Sequence, residues 1–486
     1  MEENCTKTKS ASIDIVIYTN DPGNPTDIVT ILSKFIDPDG RDMRRFAFHV
    51  HGDKELNNGT ALHVISEKNP WAADMMQQFD STDTGYLAIP GDDITAECKI
   101  LVKNLGHALD LGFAIDDFIQ MERCGITVEM VHSHLVIFRN GLPKVHLKKP
   151  ALLNDGIFDM NEARCTELAG YFDKKKGGLK LTKFVPASGG ASRMFRFVCE
   201  FLAEFDVKEE TINAYINRRK DDDLRVFLIG LEKFPFFENV MAAARQKPGY
   251  AAIPKDLRSF TFVKTMLTDE AFDYANKPKG ILPFHQYNGF TATPVHEHLK
   301  EAAAYAGADG KANVHFTISE EHLDGFRDAV ATAKKRIEPE SGIAINVDFS
   351  YQHKQTDTIA VGLDNLPFRT GDGKLLFRPG GHGALIQNLN ELDADIVFVK
   401  NIDNVSLNHI SVIALYKKAL AGLLIGLQEQ VFECVRKIEA GNVTEQELRN
   451  MFAFAMAKLS IDVPEDIMKF TYEHRLEFAR KIFNRP

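Results

Sequence analysis

The chain has 486 residues, 44% apolar and 26% charged, which suits a globular protein of roughly two to four domains. Its net charge of −10 argues against nucleic-acid partners, because proteins that bind polyanions usually carry a basic face. The cysteines form no CxxC pair, the N-terminus has no signal-like apolar run, and the apolar run Ala419 to Leu427 is too short to span a bilayer. These features predict a cytoplasmic protein without a membrane partner.

Residues 1–112 alternate strand-like runs, such as Ile13 to Tyr18 and Phe46 to His51, with turn-rich stretches. We expect a small α/β or α+β accessory domain of unknown role. In the run from His49 to Asp53, two histidines and an aspartate would share one strand face, so a metal site is one interpretation. An edge strand with two histidines is the commoner outcome, and we favour it.

Residues 113–180 carry helical signals and form a helical lead-in. A helix from Ile115 to Cys124 is closed by Gly125. Thr127 is a suitable N-cap for a second helix that ends at Asn140.

From residue 181 to 405, strands alternate with helices, which is typical of a mostly parallel sheet with helices on both faces. Residues 406–486 read as a helical C-terminal region, with a capping box at Thr444 and Glu447. The main elements predicted in the α/β region are strand KFVPA, helix Ser192 to Phe205, helix Pro294 to Tyr305, strand VHFTIS, helix Glu320 to Ile337, strand IAINVDFSYQ and strand ADIVFVKNID.

The small residues Ser188, Gly189, Gly190 and Ser192 lie between the first of these strands and its helix. Such a loop lets the backbone approach a phosphate, and the N–H groups at the start of a helix point at it. Arg193 follows at once and supplies a guanidinium. The loop alone fits a phosphate site and an ordinary tight turn equally well.

Two further loops contain residues suited to a nucleotide. NKPKGILPFH places Lys277 and Lys279 on either side of a proline, and lysine is a compact charge suited to phosphate. RPGGHGAL contains Gly381 and His382, which could meet a base edge, a sugar or a phosphate. Taken alone, each reads more simply as a solvated connection.

Asp403 follows the last predicted strand, in KNIDN. A carboxylate at the carboxyl end of a central strand is well placed to hold Mg²⁺, which takes oxygen ligands together with substrate phosphates. An Asx turn that ends the strand is the alternative.

The order of these motifs resembles the sugar-nucleotide pyrophosphorylases, above all those that make UDP-sugars, over Leu181 to Val405. VPASGGASR stands in place of the LxxGxGTR loop of that family, and KPKGILPFH resembles its lysine-containing LP segment. VDFSYQ, ending at Gln352, resembles the strand that helps read uracil, RPGGHGAL resembles the PPGHG turn, and VKNIDN resembles the metal-holding strand end. More closely, Phe113 to Pro486 resembles an uncharacterised bacterial family catalogued as a domain of unknown function, whose members are expected to continue past this chain's last residue.

The resemblance implies a nucleotide-diphospho-sugar transferase-like, Rossmann-like sheet and a nucleotidyl transfer from UTP to a sugar 1-phosphate, with Mg²⁺ and release of pyrophosphate. It assigns the triphosphate to the loop residues and Arg193, the α-phosphate region to Lys279, and the metal to Asp403. It assigns the base to Gln352 and Gly381, with His382 beside it.

The loop departs from the family pattern at Ser188, Ala191 and Ser192, and a Cβ at Ala191 would be penalised if this position needs a positive φ. Two other functions therefore stay open. One is a nucleotide or nucleotide-sugar binding protein without turnover. The other is a glycosyltransferase, for which Asp393 and Asp395 spell a DxD motif, although that motif precedes a strand and reads as a helix-to-strand turn.

Overall fold

A computed structural model of the protein describes residues 13–19, 28–29, 31–32, 46–51, 61–147, 149–153, 155–191 and 193–484. The chain divides into two compact units. The N-terminal unit comprises Met1–Val145 and His353–Ala384, and the C-terminal unit comprises His146–Gln352 and Leu385–Pro486. The predicted helical lead-in, residues 113–180, is thus shared between the two units.

The strands of the described chain are β1 (Ile13–Tyr18), β2 (Phe46–His51), β3 (Ala61–Ser66), β4 (Tyr86–Ile89), β5 (Leu152–Leu153), β6 (Gly156–Ile157), β7 (Leu181–Pro186), β8 (His285–Tyr287), β9 (Phe290–Ala292), β10 (Gly307–Ala308), β11 (Lys311–Ile318), β12 (Ala344–Tyr351), β13 (Thr358–Ile359), β14 (Phe377–Arg378) and β15 (Ile396–Val399). The α-helices are α1 (Ala72–Ser81), α2 (Ile94–Asp110), α3 (Ile115–Arg123), α4 (Val128–Asn140), α5 (Glu162–Lys175), α6 (Arg196–Glu204), α7 (Ile212–Arg219), α8 (Asp222–Ile229), α9 (Phe237–Gln246), α10 (Arg258–Thr268), α11 (Pro294–Tyr305), α12 (Leu323–Ser341), α13 (Ile386–Asn390), α14 (Ile410–Glu439), α15 (Glu445–Leu459) and α16 (Tyr472–Phe483).

The N-terminal unit contains a parallel four-stranded sheet in the order β2-β1-β3-β4. Strands β1 and β2 confirm the two strand-like runs of the sequence, and β1 is buried because its apolar residues face the helices that cover the sheet. Strand β2 lies at the end of the described strand order, and His49 Nε2 is 3.4 Å from Asp14 Oδ1. Asp53 lies outside the described residues, so the metal interpretation of this run is not tested.

The two helices predicted after residue 113 are confirmed with their caps. Gly125 follows α3 with φ +68°, a conformation that glycine adopts freely. The Thr127 hydroxyl accepts a hydrogen bond from the Met130 N–H at the start of α4. The segment 353–384 returns to this unit, where the Arg369 guanidinium donates to both oxygens of the buried Asp117 carboxylate at 2.6 and 2.7 Å.

The C-terminal unit is built on a mostly parallel sheet in which β12, β11, β7 and β15 are neighbours in that order. Strand β10 adds a short antiparallel pair to the start of β11. The core of this sheet packs against α5, α11, α12 and α14. The predicted alternation of strands and helices and the parallel pairing are confirmed, so the protein is of the mixed α/β class.

Residues 196–268 form the helices α6 to α10, which the sequence analysis left largely unassigned. These helices enclose a separate aromatic core, in which Phe201 contacts Phe205, Tyr215 and Phe260 with ring centroids 5.1 to 5.6 Å apart. Much of the chain's large phenylalanine content is therefore structural.

The C-terminal residues are helical as predicted, and the Thr444–Glu447 capping box is present. Helix α14 has 30 residues and is, by length and composition, apolar enough to cross a membrane, the one such helix in the described ranges. Only 22% of its most apolar window is buried. The run Ala419 to Leu427 is thus part of a longer apolar helix, because Lys417 and Lys418 do not interrupt it. Core helices of soluble proteins share this length and composition, so α14 alone does not assign a location.

Candidate functional site

The small-residue loop follows β7 and is held by backbone hydrogen bonds on two sides. The Ala187 N–H donates to the Thr317 carbonyl at 2.8 Å, which ties the loop to the end of β11. The Ala191 N–H donates to the Lys277 carbonyl at 3.2 Å, and the Lys279 N–H donates to the Gly189 carbonyl at 3.4 Å. The structure therefore brings the predicted phosphate loop and the predicted lysine segment together.

The surface of this loop is open. Gly189 and Gly190 are exposed and Ser188 is half-buried, whereas Ser192 lies outside the described residues. A Cβ on Gly189 would meet nothing within 4 Å. Ala191 is buried and does not belong to the described residues with positive φ, so its Cβ carries none of the expected backbone penalty.

Helix α6 begins at Arg196, four residues after the predicted start at Ser192. Residues 193–195 form a turn, in which the Met194 and Phe195 N–H groups both donate to the Ala191 carbonyl. Arg193 lies on this turn and is exposed. It lines a cleft of about 530 Å³ whose other lining residues include Arg196, Arg219 and the acidic residues Asp221 to Asp223.

Lys279 and Asp403 form an ion pair, with 2.6 Å between Lys279 Nζ and Asp403 Oδ2. Lys279 opens a short 3₁₀ turn whose next residue must be small, because a Cβ on Gly280 would lie 2.6 Å from the Phe326 ring. Lys277 is directed elsewhere and donates to the Ala271 carbonyl. Of the two lysines in the predicted segment, Lys279 is the one beside the predicted metal ligand.

Asp403 reaches this position because the chain continues beside β7 after β15 ends. The Lys400 N–H donates to the Phe184 carbonyl at 3.1 Å and the Ile402 N–H to the Pro186 carbonyl at 3.3 Å. Asp403 and the small-residue loop therefore lie at the same carboxyl edge of parallel strands, where open α/β sheets usually bind ligands.

A buried charge network lies beneath this edge, and none of the predicted site residues belongs to it. Lys183 Nζ on β7 donates to Glu301 Oε2 at 2.7 Å, and Lys400 Nζ donates to the other oxygen, Oε1, at 2.5 Å. The Tyr305 hydroxyl also donates to Glu301 Oε2. Burial lowers the pKa of Lys183 to about 7, and the attraction of Glu301 only partly offsets it. Both lysines hold the pKa of the Glu301 carboxyl below its usual range despite its burial.

His298 connects this network to the site. Its Nε2 lies 3.2 Å from the Asn401 carbonyl oxygen and 3.1 Å from that of Ile402, so Nε2 carries the proton and donates. Burial, followed by the charge of Lys183, lowers the pKa of His298 well below its usual range. A neutral buried histidine thus fixes the two residues that precede Asp403. Two features of the sequence could have indicated this network. One is the lysine inside the apolar strand KFVPA, and the other is the spacing of three residues between His298 and Glu301 on a buried helix.

The predicted base-reading residues are not brought together within one unit. Gln352 follows β12, whose end is held by Asn388 through hydrogen bonds to Ser350 Oγ at 3.0 Å and the Tyr351 carbonyl at 2.8 Å. Gly381 and His382 belong to the N-terminal unit and are exposed. The residues predicted to contact the base therefore belong to two different units.

The DxD spelling lies at the opposite edge of the sheet. Asp395 accepts a hydrogen bond from the Lys180 N–H at 2.7 Å, and Asp393 accepts one from Lys180 Nζ at 2.5 Å, just before β7 and β15 begin. These carboxylates thus fix the turn into β15. In the part of the chain that the structure describes, no group of three or more His, Cys, Asp or Glu could hold a metal ion.

Fold and site together define a mixed α/β protein with a paired lysine and aspartate at the carboxyl edge of a parallel sheet. A family described as "Domain of unknown function (DUF4301)" matches residues 115–486, and the chain belongs to this family. The predicted membership of a family of unknown function is confirmed. Comparison with curated proteins and with solved structures gives no match.

Proposed function

We propose that the C-terminal unit binds a nucleoside triphosphate, with preference for UTP, and transfers its nucleotidyl group to a sugar 1-phosphate with release of pyrophosphate. The observation that carries the proposal is the convergence of the Gly189 backbone, Lys279 and Asp403 at one edge of the sheet. These residues belong to three separate sequence motifs. A resemblance to sugar-nucleotide pyrophosphorylases, with a nucleotide-diphospho-sugar transferase-like sheet, accounts for all three motifs.

The open loop suits the triphosphate. The exposed backbone at Gly189 and Gly190 allows close approach, Ser188 and Ser192 supply hydroxyls, and Arg193 supplies a cation for the β- and γ-phosphates. Gln352, Gly381 and His382 stay the proposed contacts of the base.

The Lys279–Asp403 pair would exchange partners on binding. Lys279 would turn to the α-phosphate or the sugar phosphate, and Asp403 would hold Mg²⁺, for which one carboxylate with phosphate oxygens is a fitting donor set. Bound Mg²⁺ would neutralise charge on the phosphates. His298 would keep the residues before Asp403 in place throughout.

The reaction is an in-line displacement. An oxygen of the sugar 1-phosphate forms a bond to the α-phosphorus, the bond from that phosphorus to the bridging oxygen breaks, and pyrophosphate leaves with the electron pair. The attacking phosphate is already ionised at neutral pH, so the protein's contribution is to position the reactants and to neutralise charge through Lys279 and Arg193.

A second candidate is nucleotide binding without turnover. The ion pair that already satisfies Asp403 and the departures at Ser188 and Ser192 favour it. The two candidates differ in one measurable quantity, the release of pyrophosphate.

The test is a thermal-shift screen of nucleoside triphosphates with Mg²⁺, followed by a pyrophosphate assay with a panel of sugar phosphates. We expect a UTP-selective rise in Tm. Lys279→Met and Asp403→Asn should each weaken binding about tenfold or more, the effect of losing one charge-assisted contact, and abolish turnover, as should Arg193→Ala.

Lys180→Met and Asp393→Asn are matched controls, because they break a similar exposed ion pair at the other edge of the same sheet. They should leave binding unchanged. Binding without pyrophosphate would establish the second candidate, and a folded protein that no nucleotide stabilises would exclude both.

A further inference from the structure

A short turn after residue 149 presents an apolar knob, defined here as Leu152, Leu153, Ile157 and Phe158. Leu152 and Asp155 exchange two backbone hydrogen bonds of 2.8 and 2.9 Å, and β5 pairs with β6. The four side chains of the knob are nevertheless 46 to 67% exposed. Apolar side chains that protrude together are typical of a surface that a partner covers.

A groove of about 870 Å³ lies directly beside the knob, between α5 and α14, with Phe158 and Met160 on its rim. Three helical glycines line it, Gly170, Gly422 and Gly426, and a Cβ on Gly170 or Gly426 would meet nothing within 4 Å. Glycine inside a helix costs about 1 kcal/mol relative to alanine. Gly422 has a packing reason within the chain, because its Cβ would lie 2.1 Å from the Leu168 carbonyl oxygen. At Gly170 and Gly426, by contrast, the space is left unfilled.

An apolar stripe on α14 extends this surface. Val412, Tyr416, Leu420 and Leu424 are spaced four residues apart, share one face of the helix, and are 45 to 50% exposed. Charged side chains of both signs, such as Arg164, Glu167 and Lys174, stand around the groove. An apolar centre with a charged rim fits a protein surface better than the interior of a lipid bilayer.

We propose that this surface binds a second copy of the chain, with the knob of each protomer in the groove of the other. A two-fold interface uses the same patch on both subunits, so a convex element beside a concave one, as found here, can pair with its own copy. The four knob side chains, at roughly 100 Å³ each, fit within the groove. Eight apolar side chains exposed by about half amount to on the order of 700 Å² per protomer, close to the ~800 Å² of a standard interface. This inference does not depend on the proposed reaction.

The experiment is light scattering and sedimentation equilibrium of the full chain over a concentration series. We expect a dimer that dissociates on dilution. The knob variant Leu152→Asp/Leu153→Asp and the groove variant Gly426→Trp, whose indole enters open space, should each weaken association by at least about 30-fold. The control Val226→Asp/Ile229→Asp, at positions 70 and 80% exposed on α8, should not change it. Circular dichroism and Tm verify that each variant is folded.

Mixing gives the sharpest result. The knob variant keeps an intact groove and the groove variant keeps an intact knob. A mixed dimer therefore keeps one of the two knob-in-groove contacts, and an equimolar mixture should associate more tightly than either variant alone. A wild-type chain that is monomeric at about 100 μM would overturn the proposal, as would knob variants that dimerise normally. Flotation of the wild type, but not of the knob variant, with vesicles of three parts phosphatidylcholine to one part phosphatidylglycerol would overturn it in favour of a membrane surface.

Discussion

The buried network of Lys183, Glu301 and Lys400 predicts opposite effects for two substitutions. Glu301 is the carboxylate that both lysine side chains share, so Glu301→Gln leaves Lys400 without a counter-ion and Lys183 without its carboxylate partner, both of them buried. Lys183→Met removes one of the two lysines and leaves Glu301 paired one to one with Lys400. A methionine side chain has nearly the same length and fills the same apolar space.

The magnitudes follow from burial. Removing one partner of a buried pair costs about 3–5 kcal/mol of unfolding free energy because the other charge is left buried and unpaired. Glu301→Gln leaves Lys400 in that position, whereas Lys183→Met leaves no charge unpaired, since Glu301 keeps Lys400. We therefore expect about 3–5 kcal/mol of destabilisation for Glu301→Gln and within about 1 kcal/mol of the wild type for Lys183→Met near pH 8. The surface variant Glu433→Gln, whose partner Lys437 is exposed, should change stability by less than about 0.5 kcal/mol.

The pH dependence gives a second check. The pKa of Lys183 is about 7 in the folded protein and 10.5 in the unfolded chain. Between these two pH values the unfolded chain binds more protons than the folded protein. The free energy of unfolding therefore rises with pH, by up to about 1.4 kcal/mol per pH unit. Below pH 7 the destabilisation that Lys183 causes reaches its full size and no longer changes with pH. Lys183→Met removes this slope, so its stability relative to the wild type should improve as pH falls from 9.5 to 7.

The assay must measure the C-terminal unit by itself, because the chain has two units and need not unfold in one step. Hydrogen exchange of peptides from β7 and α11 does this. The single tryptophan, Trp71, lies in the N-terminal unit, so its fluorescence reports on that unit. If Glu301→Gln costs less than about 1 kcal/mol, or if Lys183→Met costs as much as Glu301→Gln, our account of the network is wrong.

Two further predictions concern Gly422 and His298. Gly422→Ala should cost about 1–3 kcal/mol, because its Cβ would force α5 and α14 apart, whereas Gly426→Ala in dilute protein should be neutral or stabilise by up to about 1 kcal/mol. Hydrogen exchange of peptides from α5 and α14 compares the two variants, and equal effects would contradict the packing argument. His298 is neutral when folded but takes a proton below pH 6.5 when unfolded, so stability should fall as pH drops from 6.5 to 5. His298→Gln should reduce that slope in the same exchange experiment, and an unchanged slope would show that His298 titrates normally.

The local elements could be predicted because their signals are local. Thr127 and Gly125 fix helix ends through hydrogen bonds and backbone conformation within a few residues, and the predicted helix Pro294–Tyr305 has the observed bounds. The parallel pairing of β7 with β11 also followed from the alternation of strands and helices. Helix α6 was misplaced by four residues because the turn after Ala191 satisfies its N–H groups without a helix.

The rest depended on contacts between distant positions. Lys279 and Asp403 belong to two separate sequence motifs, and their 2.6 Å contact joins residues 124 positions apart. The network around Glu301 could not be read from spacing, because Lys183 and Lys400 approach it from two different strand regions. The return of residues 353–384 to the N-terminal unit rests on pairs such as Arg369 with Asp117, and no local pattern indicates such a partner.

The core of the N-terminal unit has a consequence for where this protein can be cut. It packs Ile15 and Val64, which precede the family match, against Phe118, Val128 and Ile359, which lie within it. A fragment of residues 115–486 would keep α3 and α4 but lose the sheet that covers their apolar faces, and it should aggregate or expose those faces to solvent. The stretch over which relatives can be recognised is thus shorter than the stretch that must fold together, and a soluble fragment of the family region needs the strands from residue 13 onward.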